Sequence, residues 1–146
     1  INSYFCAMQL AFDQHIKSHF PFLFEQKILV AVSSGLDSMV LADLCLKSEL
    51  NIALAHCNFK LREAESDKEE AFVSNYAKTH KLTFFTKHFN TTHFADTSKI
   101  SIQMAARELR YNFFDELCNS QQFDTILTAH HADDNLETFF INLSRG

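Results

Sequence analysis

The chain has 146 residues, 47% hydrophobic and 21% charged, which fits one globular domain with a substantial core. Its 13 Lys and Arg against 18 Asp and Glu give a formal net charge of −5, which argues against a free-standing nucleic-acid binder, since such proteins are basic. No apolar run reaches the roughly 18 residues of a membrane span, and the four cysteines form no CxxC pair, so we expect a cytoplasmic protein with reduced thiols and no zinc ribbon.

Predicted strands alternate with predicted helices along the chain. A first helix is indicated by Tyr4, Met8, Phe12 and Ile16, which recur every four residues. The predicted strands comprise residues 27–32, 51–56, 82–88 and 124–128, and the helices that follow comprise residues 38–50, 63–80, 101–119 and 133–143. Residues 90–99 are polar and are predicted to be a loop. This alternation predicts an α/β fold: an open parallel sheet with helices on both faces.

Three polar clusters follow predicted strands. They are residues 33–38 after the first strand, His56, Asn58 and Arg62 after the second, and His130, His131, Asp133 and Asp134 after the fourth. Ligands of open parallel sheets bind beyond the carboxyl ends of the strands, and parallel strands bring those ends to one edge. We therefore expect the three clusters to converge on a binding site.

The first cluster, Ser-Ser-Gly-Leu-Asp-Ser at residues 33–38, is typical of a phosphate-binding turn. Small side chains let the backbone approach an anion, and the amides at the start of the following helix attract it. No Lys follows Gly35, so the turn is not a Walker A sequence. Asp37 beside a polyphosphate implies an intervening divalent cation, which points to Mg²⁺. The alternative is an ordinary turn in which Ser34 or Asp37 caps the helix.

Other candidates have structural alternatives of similar weight. His56 could contact a nucleotide or simply end its strand. Arg107 and Arg110 are three residues apart on a predicted helix, so they share a face and could clamp a phosphate. The alternative is surface salt bridging with Glu108 or Asp115.

The segment 128–138 contains two histidines and several acids. His130 and His131 are adjacent at a strand end and therefore point apart, which disfavours a shared zinc ion. Asp134 and Glu137 are three apart on a predicted helix and would suit a cationic substrate or Mg²⁺. The alternative is that the acids only decorate a helix N-terminus.

Four segments together resemble the tRNA(Ile)-lysidine synthetases, a family of PP-loop ATP pyrophosphatases. They are Ser-Ser-Gly-Leu-Asp-Ser at 33–38, Ala-His-Cys-Asn-Phe-Lys-Leu-Arg at 55–62, Ala-Arg-Glu-Leu-Arg-Tyr at 106–111 and Thr-Ala-His-His-Ala-Asp-Asp-Asn-Leu-Glu-Thr at 128–138. The resemblance implies a Rossmann-like adenine-nucleotide α-hydrolase (PP-loop) fold. It also implies that residues 1–146 are the ATP-binding catalytic part of a longer protein, whose C-terminal tRNA-binding domains are absent here.

The reaction implied by the resemblance is a tRNA-modifying ligation. ATP adenylates C2 of the wobble cytidine of tRNA(Ile) with a CAU anticodon, and free L-lysine then displaces AMP to give lysidine. The alternatives are another PP-loop ATP pyrophosphatase, such as a tRNA thiolation enzyme, or a non-catalytic nucleotide-binding module.

The resemblance also implies residue roles. ATP would be bound by Ser33, Ser34, Gly35, Leu36, Asp37, Ser38 and His56. Catalysis would involve Asp37, with Mg²⁺, and Arg107, Arg110 and His130, whereas Asp134 and Glu137 would bind lysine.

The chain departs from the family pattern in two places. Members usually have Gly where this chain has Ser34, and His-Gly where it has Phe59-Lys60. Ser34 should be tolerated if its backbone does not need a positive φ.

Overall fold

The computed structural model describes residues 2–129, within which five α-helices and one 3₁₀ helix surround four strands. In chain order the elements are α1 (Asn2–His19), the 3₁₀ helix (Pro21–Glu25), β1 (Lys27–Ala31), α2 (Leu36–Lys47), β2 (Asn51–Asn58), α3 (Glu63–Thr79), β3 (Phe84–His88), α4 (Thr91–Ser98), α5 (Ile102–Gln121) and β4 (Thr125–Thr128). The helix predicted at 133–143 lies outside the described residues.

The four strands form one parallel sheet in the order β3-β2-β1-β4. Successive side chains of a strand point to opposite faces, and β1 divides accordingly. Ile28 and Val30 pack in a cluster with residues of α1, α2 and α3, whereas Leu29 packs with residues of α5. The predicted α/β architecture, with a parallel sheet covered on both faces, is therefore confirmed.

The core of the described residues consists of these two clusters. In the first, Phe12 and Ile16 of α1 are buried, while Tyr4 of the same predicted stripe is 63% exposed. In the second, Phe113 and Phe114 of α5 cover the other face of the sheet. Met8 is partly buried and packs against the same cluster, so the predicted stripe contacts the core from Met8 onward.

Residues 90–99 contain a helix, so the prediction of a loop there is wrong. The Asn90 side chain accepts a hydrogen bond from the His93 N–H at 3.2 Å, which caps the start of α4. Lys99, with φ of 56°, ends the helix in the left-handed region. The sequence shows no clear helical periodicity here, because only two residues of α4, Thr91 and Ala95, are buried.

Two sequence-based exclusions can be compared with the structure. Between residues 2 and 129, no helix combines the length and the apolar character needed to cross a membrane. All four cysteines are free thiols.

Candidate functional site

A cleft of about 420 Å³ opens at the carboxyl edge of the sheet, where β1, β2 and β4 end. The last residues of these strands and the side chains that follow them line it, together with one face of α5. The lining residues are Ala31, Val32, Ser33, Ser38, Ala55, His56, Cys57, Phe59, Arg110, Tyr111, Phe114, Thr128 and Ala129. The cleft therefore collects members of the first two polar clusters and one of the two arginines.

The β1–α2 turn (residues 32–35) is closed by the Ser38 hydroxyl. Its oxygen accepts a hydrogen bond from the Ser33 N–H at 2.9 Å and can donate to the Ser33 carbonyl at 2.9 Å or the Gly35 carbonyl at 3.2 Å. The Ser33 hydroxyl in turn accepts from the Gly35 N–H at 3.1 Å. Neutral side-chain-to-backbone bonds thus fix the shape of this turn.

Helix α2 begins at the cleft with the geometry of an anion-binding terminus. Gly35 is the N-cap, in an extended conformation with φ of −64°, and the first helical hydrogen bond runs from the Met39 N–H to the Gly35 carbonyl at 3.2 Å. Residues 36–38 precede that bond, in the part of a helix where amides and dipole together favour negative charge. A Cβ at Gly35 would lie 3.1 Å from the Ser33 hydroxyl, so crowding rather than φ favours glycine there.

The backbone at Ser34 does not adopt a conformation that requires glycine. Ser34 is not among the described residues with positive φ, so the condition for tolerating serine at this position is met. Its side chain does not line the cleft.

Asp37 lies in the first turn of α2 and is partly buried. Within residues 2–129, no group of three or more His, Cys, Asp or Glu side chains could by itself hold a metal ion. Mg²⁺ usually binds one or two carboxylates together with substrate phosphates and water. Among the described residues, the single carboxylate of Asp37 therefore fits Mg²⁺ that binds together with a nucleotide.

His56 is 3% exposed and also lines the cleft. Its Nδ1 lies 2.9 Å from the Val32 carbonyl oxygen. Because a carbonyl can only accept, Nδ1 carries the proton and donates a hydrogen bond to the first residue after β1. The two readings of His56 are thus compatible: one ring nitrogen ties β2 to the end of β1, while the residue borders the cleft.

The two arginines of α5 have different surroundings. Arg110 is partly buried and lines the cleft, with its Cζ 5.3 Å from the centre of the Phe59 ring. Arg107 is exposed, lies over Tyr111 at 5.0 Å and is not among the lining residues. No ion pair joins either arginine to Glu108 or Asp115 in the described part of the chain.

A buried asparagine organises the second strand end. Asn58 is 1% exposed, and its amide donates to Asp67 Oδ1 at 3.1 Å and Glu70 Oε2 at 2.8 Å, both on α3. Its carbonyl accepts from the Lys60 N–H at 3.1 Å. The Nε2 of His88 lies 2.6 Å from the same Glu70 oxygen. This network ties β2 and β3 to α3 beside the cleft.

The network changes the acidity of both carboxylates. Hydrogen bonds from Lys60 and Asn58 lower the pKa of Asp67. Burial acts to raise the pKa of Glu70, but hydrogen bonds from Asn58 and His88 outweigh it, and the net direction is downward. The sequence gives no signal of this role, because acids in residues 63–70 are equally typical of a solvated helix start.

The β2–α3 turn (residues 59–62) contains a left-handed residue, Lys60, with φ of 54°. This is the position at which the resembling family usually has glycine, and the φ supplies a physical reason for that preference. In this chain the Lys60 ammonium forms an ion pair with Asp67 at 2.6 Å, and its side chain is 37% exposed.

Cys57 borders the cleft without being a reactive thiol. Burial raises its pKa to about 12, although the charges of Arg110 and Lys87 act in the opposite direction. At neutral pH it is protonated and therefore a poor nucleophile.

Sequence reasoning also missed the aromatic wall of the cleft, Phe59, Tyr111 and Phe114. The chain contains 16 Phe, so aromatic residues alone gave no signal that these line a site rather than the core. Three predicted site residues, His130, Asp134 and Glu137, lie outside the described residues.

Comparison with known proteins gives consistent matches. Similar proteins include the tRNA(Ile)-lysidine synthases of Bacteroides thetaiotaomicron (41% identical over 91% of this chain and 31% of that protein), Chlorobaculum tepidum (42% over 82% and 37%) and Bacillus subtilis (39% over 82% and 26%). The chain thus spans about a quarter to a third of the length of these relatives.

The match to a family model covers the described site. The model of the PP-loop domain matches residues 8–146, which include the β1–α2 turn, the β2–α3 turn and α5. A PP-loop domain has the Rossmann-like adenine-nucleotide α-hydrolase fold, in agreement with the parallel sheet and its two helical layers. With a family match over nearly its whole length and a cleft at the expected sheet edge, the chain belongs to the PP-loop domain family.

Proposed function

We propose that this chain is the ATP-binding catalytic part of a tRNA(Ile)-lysidine synthetase. The observation that carries the proposal is the 41% identity to a tRNA(Ile)-lysidine synthase over 91% of the chain. The relatives are longer, so we further propose that residues 1–146 are the N-terminal domain of a longer protein, with tRNA-binding domains after it. The net charge of −5 supports this division, because an acidic domain repels a polyanion.

The proposed reaction has two displacements. The C2 carbonyl oxygen of the wobble cytidine in the CAU anticodon attacks the α-phosphorus of ATP, and pyrophosphate leaves with the electrons of the broken P–O bond. The uncharged ε-amine of free L-lysine then attacks C2, and AMP leaves with the former carbonyl oxygen while the nitrogen loses its proton. The products are lysidine, AMP and pyrophosphate.

The β1–α2 turn would hold the phosphates of ATP. Ser33 and Ser38 border the cleft, while Ser34, Gly35 and Leu36 belong to the same turn and helix start. Backbone amides of this segment would bind the pyrophosphate that leaves. His56 would contact the nucleotide from the end of β2.

An arginine, and Asp37 through bound Mg²⁺, would offset the negative charge on the α-phosphate during the reaction. Arg110, or Arg107 if it moves inward, would offset charge that develops on the α-phosphate. Asp37 would be the protein ligand of Mg²⁺, which offsets phosphate charge when bound. His130 is proposed as a further catalytic residue because it comes two residues after the end of β4 in the sequence.

The proposal is tested by measuring pyrophosphate and AMP released by the full-length protein with Mg·ATP. Both products should form only when tRNA(Ile) with a CAU anticodon is present, and lysidine only when L-lysine is added as well. Pyrophosphate release with a sulfur donor and no lysine requirement would instead identify a tRNA thiolation enzyme. Binding of ATP without any turnover would identify a non-catalytic module.

Metal dependence provides a residue-level test. Asp37→Ala should weaken Mg·ATP binding, measured by calorimetry, far more than binding of metal-free ATP. Asp43→Asn in the same helix is the matched control, since Asp43 pairs with Lys47 and Tyr76 away from the cleft. Equal Mg·ATP affinity of the Asp37→Ala variant and the wild type would contradict the assignment.

The lysine site is proposed for Asp134 and Glu137, which are three apart in sequence and follow β4. Removing one partner of a desolvated charge pair costs about 2–5 kcal/mol, so Asp134→Asn should raise the lysine requirement on the order of 30-fold or more. If lysine dependence is unchanged and pyrophosphate release collapses, these residues serve ATP or Mg²⁺ instead.

A further inference from the structure

The side chain of Phe59 contacts both Arg110 and a column of aromatic rings. The Arg110 Cζ is 5.3 Å from the centre of the Phe59 ring. Phe59 stacks on Phe89 with centroids 5.7 Å apart and planes at 23°, and Phe89 meets Phe113 edge-on at 6.2 Å. Phe89 and Phe113 are buried, whereas Phe59 borders the cleft.

The backbone of Phe59 is also fixed. Its carbonyl accepts a hydrogen bond of 2.7 Å from the hydroxyl of Thr91, a residue only 1% exposed. The next residue, Lys60, donates its N–H to the buried Asn58 side chain. The ring is therefore held both by its neighbours and by its own main chain, so it offers Arg110 a rigid face.

Contact with the aromatic ring leaves the N–H groups of the guanidinium available to bind an anion. An arginine packed on an aromatic ring uses its face, while its five N–H donors lie in the guanidinium plane. Within residues 2–129, no hydrogen bond or ion pair uses the Arg110 N–H groups. The cleft, which Arg110 lines, is the place where those donors can meet a ligand.

We propose that Phe59 is a positioning residue: its ring holds the Arg110 guanidinium against the wall of the cleft, with the N–H edge directed at the phosphates of bound ATP. This inference rests on the proposed function, which supplies the nucleotide. It distinguishes the two arginines, because Arg107 is exposed and packs on Tyr111 instead.

The test is a double-mutant cycle on Mg·ATP affinity, measured by calorimetry on the full-length protein without tRNA or lysine. Phe59→Leu keeps an apolar side chain but removes the ring face, and should weaken binding about threefold to tenfold. Phe59→Tyr keeps the face and should retain affinity within about twofold. In an Arg110→Gln background, Phe59→Leu should have little further effect, because the group it positions is gone.

Another aromatic–cation pair in the chain, far from the cleft, provides the matched control. Lys27 lies over Phe123 at 4.6 Å, at the opposite end of β1 from the cleft. Phe123→Leu should lower thermal stability without changing Mg·ATP affinity. It shows what loss of an aromatic contact does when no ligand group is involved.

The outcomes separate this inference from the proposed function. If the wild type binds Mg·ATP and Phe59→Leu binds equally well, or weakens binding by the same factor with and without Arg110, the positioning role is refuted. Failure of Phe59→Tyr to retain affinity would refute it too. If the wild type does not bind Mg·ATP, the proposed function itself fails.

Discussion

The two turns at the carboxyl edge of the sheet are built in opposite ways. The β1–α2 turn is closed by neutral hydrogen bonds of one hydroxyl, Ser38, and none of its residues has a positive φ. The β2–α3 turn contains the left-handed Lys60 and is held by Asn58 and two carboxylates of α3. The first turn is therefore shaped by neutral hydrogen bonds, whereas the second depends on charged groups of the helix that follows it.

This difference explains why two similar departures from the family pattern are not equivalent. Both replace a glycine, at Ser34 and at Lys60. Ser34 occupies ordinary backbone geometry, so a side chain there adds no strain. Lys60 has φ of 54°, a conformation that is unfavourable for a residue with a Cβ. The consequence of losing a glycine thus depends on the φ of its position.

The largest effect should follow from removing the centre of the charged network. Asn58→Ala takes away two hydrogen bonds to carboxylates and the acceptor of the Lys60 N–H, all of which are made by a side chain that is 1% exposed. Hydrogen bonds to charged groups are worth about 1.5–3 kcal/mol each, and partial solvation of α3 offsets part of that. We expect a loss of about 3 kcal/mol in the free energy of unfolding, measured by urea denaturation.

Asn75→Ala is the control for this substitution, because Asn75 is an exposed residue of the same helix. It should change stability by less than about 0.5 kcal/mol. A loss below about 1 kcal/mol for Asn58→Ala would contradict the view that this network holds the second turn.

The next largest effect should come from the first turn. Ser38→Ala removes the hydroxyl that accepts from the Ser33 N–H and donates to the Ser33 or Gly35 carbonyl. Neutral hydrogen bonds contribute about 0.5–1.5 kcal/mol each, so we expect a loss of about 1–2 kcal/mol by urea denaturation. Ser34→Ala in the same turn should be close to neutral, and similar losses for the two variants would show that Ser38 does not close the turn.

The sequence alone predicted the architecture better than the contacts within it. Alternating apolar segments were sufficient to predict the parallel sheet, because buried strands and amphipathic helices carry periodic signals. Helix α4 was missed because Asn90 capping and two buried side chains, rather than periodicity, define it. The roles of Asn58 and Phe59 were missed, since they depend on which side chains of α3 and α5 pack against the end of β2.

In the candidate site, too, the sequence predicted some residues and missed the roles of others. Residues 33–38 could be proposed from local pattern, because a turn between adjacent elements is encoded by consecutive residues. The sequence did not distinguish Arg107 from Arg110 as phosphate ligands. They differ in the structure, because they pack against different aromatic rings. Residues that act through long-range packing leave no local signature.

The two turns should also respond differently to acid. Glu70 has a lowered pKa in the folded protein, so its carboxylate contributes stability that is fully present above its ordinary value of 4.5 and is lost as pH falls through the lowered folded-state pKa. Glu70→Gln should lower stability at neutral pH and give a shallower loss below about pH 4.5 in denaturation curves.

Ser38→Ala provides the comparison for acid sensitivity, because the bonds it removes are neutral. Its stability should fall with decreasing pH as steeply as that of the wild type. Equal acid slopes for the Glu70→Gln variant and the wild type would mean that the second turn does not depend on this carboxylate.

The smallest effects, and the sharpest comparison, should come from introducing glycine into each turn. Ser34→Gly should destabilise by about 0.5–1 kcal/mol, because glycine gives the unfolded chain more conformations and the native φ does not require it. Lys60→Gly should relieve about 1–2 kcal/mol of left-handed strain, less the same unfolded-state term of about 0.5–1 kcal/mol. The exposed ion pair with Asp67 is lost as well. The net change should therefore be between about zero and a gain of about 1.5 kcal/mol. Thermal denaturation of the two variants and the wild type in parallel measures the contrast. A Lys60→Gly variant that loses as much stability as Ser34→Gly would show that the left-handed backbone at Lys60 carries no strain, and the two turns would then tolerate side chains equally.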